Sequence, residues 1–183
     1  MATIQALLGI LCLIAVHSYS LSHSNLLKNP SADLQSRNRI VQLARNEIGV
    51  RELTGNNDGK RIAEYLKAVG LKQEAPWCAA FVSWVFQKAG FAQPRTAWSP
   101  AMFNNAVNVK QPQRAVVFGI YFPELKRVAH VGLVERVDGD WLITIEGNTN
   151  NNGSWEGDGV YRKRRHKKTI YSYADWVGKE ASL

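Results

Sequence analysis

The stretch "PWCAAFVSWVFQKAG", residues 76 to 90, sets a cysteine, Cys78, in the opening turn of a helix-patterned segment. The thiolate is the nucleophilic form of cysteine. Two devices lower a thiol's pKa towards neutrality: a helix N-terminus and a neighbouring imidazolium. The position just after Pro76 supplies the first. The second requires one of the four histidines. His17 and His23 lie ahead of the first patterned segment, and His166 stands in "RKRRHKK", where neighbouring cations oppose a further proton. His130 opens the Val-rich run "HVGLVERV", and a strand end is a rigid place from which to aim a ring. Such a pair attacks a carbonyl with sulfur and uses the imidazole to carry the proton.

The imidazole itself must be held in orientation. Asp138-Gly139 is a tight-turn signal that folds "HVGLVERV" back on "WLITIEGN". His130 lies eight residues before Asp138, and Glu146 seven after Gly139. The two are therefore expected close across an antiparallel ladder. Asn148, two residues further on, is expected on the same face as Glu146. Either side chain can support the ring. The backbone N–H of Cys78, at a helix start, is expected to help bind an oxyanion; no second donor stands out.

The elements that must position these groups read as helices first and strands second. From Arg37, residues Ile40, Val41, Leu43, Ala44 and Ile48 fall on one helical face, ended by Gly49. "GNNDGK", residues 55 to 60, reads as a loop in which Asp58 caps a second helix that buries Ile62, Tyr65, Leu66 and Val69 and stops at Gly70. The cysteine helix repeats Trp77, Phe81, Trp84 and Val85 at helical spacing and ends at Gly90. Ser99-Pro100 opens a fourth, short helix with Ser99 as its cap. After Arg114 the period changes: "AVVFGIYF", "HVGLVERV" and "WLITIEG" read as strands, with "GVYRKRR" as a later one. "GNTNNNGSWEGDG" reads as a long surface loop. This order describes an α+β domain with amino-terminal helices packed on a carboxy-terminal antiparallel sheet.

The first twenty residues, "MATIQALLGILCLIAVHSYS", have the layout of a secretory signal: an apolar run, then small residues at Ser18 and Ser20. The run is shorter than the ~18–20 residues a membrane span needs. Residues 21–36 read as a flexible lead-in and 37–183 as a single catalytic domain. Removing the first 20 of 183 residues leaves one large core and one cysteine, so Cys78 has no intramolecular disulfide partner. A leftover thiol in an exported chain is either reactive or a buried inert residue. Taken singly, the cysteine, histidine and glutamate each have such an ordinary structural explanation; the ordered set at element ends does not.

That set carries a family resemblance. "PWCAAFVSWVFQKAG", then "AHVGLVE", then "ITIEGNT" resembles the CHAP family of cysteine, histidine-dependent amidohydrolases and peptidases. The likeness runs from about Ile40 to Arg165 and includes "NEIGVRELTGNNDGKRIAEYL". One departure is "QPQRAVVF", residues 111 to 118, which stands where the family shows a Pro-Gly-Asp turn. The resemblance implies a papain-like fold and cleavage of amide bonds in peptidoglycan. It assigns Cys78 as nucleophile, His130 as proton carrier, and Glu146 with Asn148 as the orienting groups.

Trp77, Trp98 and Trp155 are candidates to line a groove for glycan or stem peptide, with core packing the competing fate of Trp77 and the expected one of Trp84. The resemblance makes peptidoglycan the expected partner, and the formal net charge of +8 favours other anionic envelope polymers as well without choosing among them. On an exported chain "RKRRHKK" reads as a solvated, envelope-attracted run rather than a nucleic-acid patch. "GNNDGK" offers one carboxylate, Asp58, with Glu52 upstream, too few oxygen ligands for calcium. One cysteine and one well-placed histidine fall short of a zinc set. No metal or cofactor is expected. The expected activity is that of an exported N-acetylmuramoyl-L-alanine amidase or stem-peptide endopeptidase, acting outside the cell or in its envelope. The rival is a cationic envelope-binding module without catalysis.

Overall fold

The structure is a computed structural model that describes residues 30–72, 74–153 and 156–180. The proposed leader, with most of the lead-in, and Trp155 lie outside the described residues. Helix α1 spans Pro30–Asn46. It starts seven residues ahead of Arg37, so residues 30 to 36, read from sequence as lead-in, are helical. Asp33 in the first turn pairs with Arg37 at 2.6 Å, and Arg37 reaches on to Asp175 at 2.7 Å. A polar stretch is thus recruited into the helix by a charge network that hydropathy does not show.

Helix α2 spans Lys60–Lys67 and helix α3 Cys78–Ala89. Apolar spacing along α2 buries Ile62, Tyr65 and Leu66. Helix α3 is buried from Cys78 through Phe86 and ends at Gly90, whose φ of 99° suits a residue without a Cβ. Tyr65 sits among the rings of Trp77, Phe81 and Trp84, with centroids 5.2–5.5 Å away. Helix α4, Trp176–Glu180, closes the described chain.

Among the described residues six strands form: β1 Asn108–Val109, β2 Val117–Phe122, β3 Arg127–Asp138, β4 Trp141–Thr149, β5 Gly159–His166 and β6 Ser172–Ala174. They form one antiparallel sheet in the order β1-β6-β2-β3-β4-β5. Val117, Val131, Leu133 and Ile145 join the helices in the main core, while Val116, Phe118, Val134 and Leu142 form a second, smaller cluster. At Gly147 a Cβ would stand 2.7 Å from the Trp77 ring and 2.8 Å from Phe81. Glycine there lets the start of α3 rest directly on the β4 backbone. A helix that begins at the cysteine, laid on an antiparallel sheet that carries the histidine, is the α+β arrangement the sequence led us to expect.

Two readings of local structure need correction. Asp58 does not cap α2, whose cap residue is Gly59; its carboxylate instead accepts the N–H groups of Leu53 at 3.0 Å and Thr54 at 2.9 Å. Ser99 is not a helix cap either. It is the first residue of a 3-10 turn, Ser99–Met102, that has no side-chain cap. Where the family turn is absent, Gln113 bonds Asp175 at 2.9 Å and Arg114 bonds the Glu135 carbonyl at 3.2 Å.

Candidate active site

Three irregularities in the sheet aim the site. Ile120 pairs with His130 but Tyr121 pairs with Val128, so Ala129 is an extra residue in β3. Glu135 is another, between Val134 and Arg136. A third bulge falls in β4 between Glu146 and Thr149, where Asn148 has a φ of 53°, a conformation asparagine tolerates better than most residues. Bulges re-aim side chains. The first one lies immediately beside His130.

His130 Nε2 lies 2.8 Å from Glu146 Oε2. The hairpin turns at Gly139-Asp140, one residue later than the sequence suggests, with Asp138 paired to Trp141. The later turn shifts the register by two residues, and the bulge at Glu135 takes back one of them. The net register brings Gly132 against Glu146, with His130 two residues further along the same strand. A Cβ on Gly132 would stand 2.8 Å from both Glu146 Cγ and the Phe118 ring. Glycine in mid-strand is the clearance through which the carboxylate reaches the imidazole.

Glu146 is fully buried, and its two oxygens are well supplied with donors. Oε1 accepts the Thr144 hydroxyl at 2.6 Å and Arg165 Nε at 2.9 Å; Oε2 accepts Arg165 Nη2 at 2.6 Å beside the histidine. Burial alone would raise this carboxyl's pKa, yet the Arg165 and His130 bonds hold it well below the ordinary carboxylate range. It is an anion at neutral pH.

With Nε2 engaged by Glu146, the other ring nitrogen is left for Cys78. The thiol is buried, its Sγ 3.4 Å from Ser99 Oγ and 4.0 Å from the Ala129 carbonyl. Burial pushes the thiol pKa up, but hydrogen bonds with His130, Ser99 and the Val131 backbone more than offset it and bring the pKa below its usual value. Burial likewise pulls His130 down, and its bonds to Cys78 and Glu146 outweigh this, raising it to about 9. Both shifts favour thiolate and imidazolium together. A thiolate facing an imidazolium, which is braced from behind by a buried carboxylate, is equipped to attack a carbonyl and return a proton.

Asn148 lines the groove with His130, but no hydrogen bond among the described residues joins its side chain to the ring. The bulge breaks the strand alternation that would have put it on the face of Glu146. Trp77 is not a groove residue. It is fully buried, and its Nε1 donates to Glu52 Oε1 at 2.7 Å. Trp98 is half exposed, and Arg127 lies 4.3 Å over its ring. Three contributors were missed: Ser99, read as a cap; Arg165, read as part of a solvated basic run; and Gly132. A glycine within a Val-rich strand facing a glutamate is the one signal that sequence did contain.

A groove of about 520 Å³ opens over Cys78 and His130, and a second of about 430 Å³, lined by Asn150, Lys163 and Arg165, adjoins it through His130 and Asn148. No group of three His, Cys, Asp or Glu side chains among the described residues is arranged to hold a metal ion. No described helix is long and apolar enough to cross a membrane.

Residues 70–148 match the family model of the CHAP domain. The match takes in the Cys78 helix, the His130 strand and β4 as far as Asn148. It is narrower than the likeness from Ile40 to Arg165 drawn from sequence. No curated protein matches the chain. The crystal structure of the NlpC/p60 domain of the peptidoglycan hydrolase SagA is similar in outline, at 15% identity and a TM-score of 0.46, covering 76% of this chain and 97% of that chain.

Proposed function

With the CHAP match over residues 70–148 as premise, we propose that the chain is an exported peptidoglycan hydrolase that cleaves an amide bond by Cys–His catalysis. The observation that carries the reading is the line from Cys78 through His130 to buried Glu146. Cys78 Sγ attacks the amide carbonyl, and the imidazolium of His130 gives its proton to the departing amine, leaving an acyl thioester. His130 then takes a proton from water as the water attacks the thioester, which releases the acid and restores the thiolate and imidazolium. Glu146 holds the ring and favours its charged form throughout. The family likeness supplies the substrate class, the net charge of +8 suits an anionic wall, and the leader-like first twenty residues support export. Amidase and endopeptidase chemistry use the same groups, so the bond cut is decided by the groove.

The test is mass spectrometry of purified sacculi digested with the protein beside a Cys78→Ala control. Fragments released only by the intact protein are expected, and their masses distinguish a cut at the lactyl amide from one within the stem peptide. Binding of both proteins without release would replace this reading with the non-catalytic envelope-binding module.

A further inference from the structure

We propose that the side-chain amide of Asn57 is the second donor to the oxyanion formed at Cys78, and that Glu52 is the residue positioning it. The proposal rests on Cys78 as the nucleophile of the reading above, but not on what the substrate is.

An oxyanion site needs donors that are both uncommitted and fixed in place before the charge develops. The groove over Cys78 contains few. Glu74 and Glu156 line it, but carboxylate oxygens are acceptors. Asn56 gives its amide to Thr54 Oγ1 at 2.9 Å. Arg127 is stacked on Trp98 and donates to the Val128 carbonyl at 3.1 Å. The groove's two other side-chain amides are Asn148, which belongs to the sheet with His130, and Asn57, which belongs to the wall beside the nucleophile's own turn.

What distinguishes Asn57 is how it is tied to that turn. Its backbone N–H donates to Glu52 Oε2 at 2.9 Å, while Glu52 Oε1 accepts the indole N–H of Trp77 at 2.7 Å. Trp77 is fully buried and is the residue immediately before Cys78. One carboxylate therefore joins the nucleophile's neighbour to the backbone of a residue that lines the same groove. The loop is stiff on either side of this bridge. Asp58 gathers the Leu53 and Thr54 N–H groups, and the Glu52 N–H donates to the Asp158 carbonyl at 2.9 Å. Asn57 has a φ of 60°, a conformation the Glu52 bond helps to hold.

The step is acyl transfer. As the Sγ–C bond forms, the carbonyl π pair moves onto oxygen, where the Cys78 N–H and the Asn57 amide receive it. Collapse restores the C=O bond and expels the leaving group with the pair of the broken bond.

Two reagents separate this role from a structural one. p-Nitrophenyl acetate acylates a thiolate through such an oxyanion and releases p-nitrophenolate. Iodoacetamide alkylates the same thiolate by displacing iodide at a saturated carbon, with no oxyanion. In Asn57→Ala the acylation rate is expected to fall about 100-fold while alkylation changes by less than about 2-fold. Asn57→Asp, which keeps the shape but loses the N–H, is expected to lower the same ratio. Glu52→Gln is expected to lower it less, because only one of its two bonds changes character. An unchanged ratio, or both rates falling together, overturns the proposal, as does a loss that appears in Asn148→Ala instead. A Cys78 that reacts with neither reagent in the unaltered protein overturns the nucleophile reading itself. A lowered ratio alongside intact sacculi leaves the proposal standing and removes only the peptidoglycan substrate.

Discussion

Glu135 and Glu146 are two buried glutamates on one hairpin, each clasped by arginine from β5. Glu135 accepts Arg162 Nε and Arg45 Nε, both at 2.6 Å. Glu146 accepts Arg165 at 2.6 Å and His130 at 2.8 Å. Arginine bonds hold both carboxyls below their ordinary pKa against the opposing pull of burial. The difference lies in the other partner. At Glu135 it is a second arginine, charged at every accessible pH, so the cluster ties α1 to β5 and has no state to change. At Glu146 it is an imidazole, whose charge can change in the working range. The same carboxylate–arginine unit is a clamp in one place and, in the proposed mechanism, a brace for proton transfer in the other.

The sharpest way to break that contrast is Glu146→Gln. Activity on sacculi is expected to fall by roughly 10²–10⁴-fold, the range for losing effective acid–base catalysis. The active form needs the imidazolium, which is lost as pH rises through about 9. Removing the anion leaves Cys78 as the remaining group that favours imidazolium and leaves Arg165 opposing it, so the alkaline edge of the rate profile is expected to move down from about 9. Stability follows the same sign: the His130 contribution is complete below about 6.5 and gone above about 9, since the folded pKa is the raised one. A profile that kept its edge would show that Glu146 is no different from Glu135.

Gly132→Ala tests the clearance. The added methyl meets Glu146 Cγ and the Phe118 ring at 2.8 Å, so a loss of about 1–3 kcal/mol in urea unfolding is expected, as for overpacking. A lowered alkaline edge should accompany it, because the carboxylate is what must move. Glu135→Gln should do the least. Arg45 and Arg162 are one-third and one-half exposed and can turn to water. Its cost is therefore about 1–2 kcal/mol, a few degrees in thermal unfolding, with the pH–rate profile unmoved.

The sequence makes the cysteine helix and the hairpin legible because each rests on local signals: apolar spacing, a closing glycine, a turn dipeptide. It even places Glu146 near His130, because the two-residue shift of a later turn is halved by the extra residue at Glu135. Bulges leave no compositional mark, so Asn148 looked equivalent to Glu146 until its φ of 53° was seen. Trp77 looked available because its acceptor, Glu52, lies 25 residues upstream. Arg165 was hidden for the opposite reason, since a run of seven basic and histidine residues gives no hint that one of them turns inward. Strands β1 and β6, of two and three residues, are shorter than any periodicity can reveal.

The burial of Cys78, with 4% of its surface exposed, bears on how the thiol would fare in oxidising surroundings. A disulfide between two copies would require their Cα atoms to approach within roughly 7 Å, and two thiols each sunk at the floor of a groove cannot meet that way. Cross-linking into inactive pairs is therefore closed off by shape. Small oxidants remain able to enter, and a low-pKa thiolate is the form they convert to sulfenic acid. The molecule's redox vulnerability is thus to peroxide rather than to its own kind.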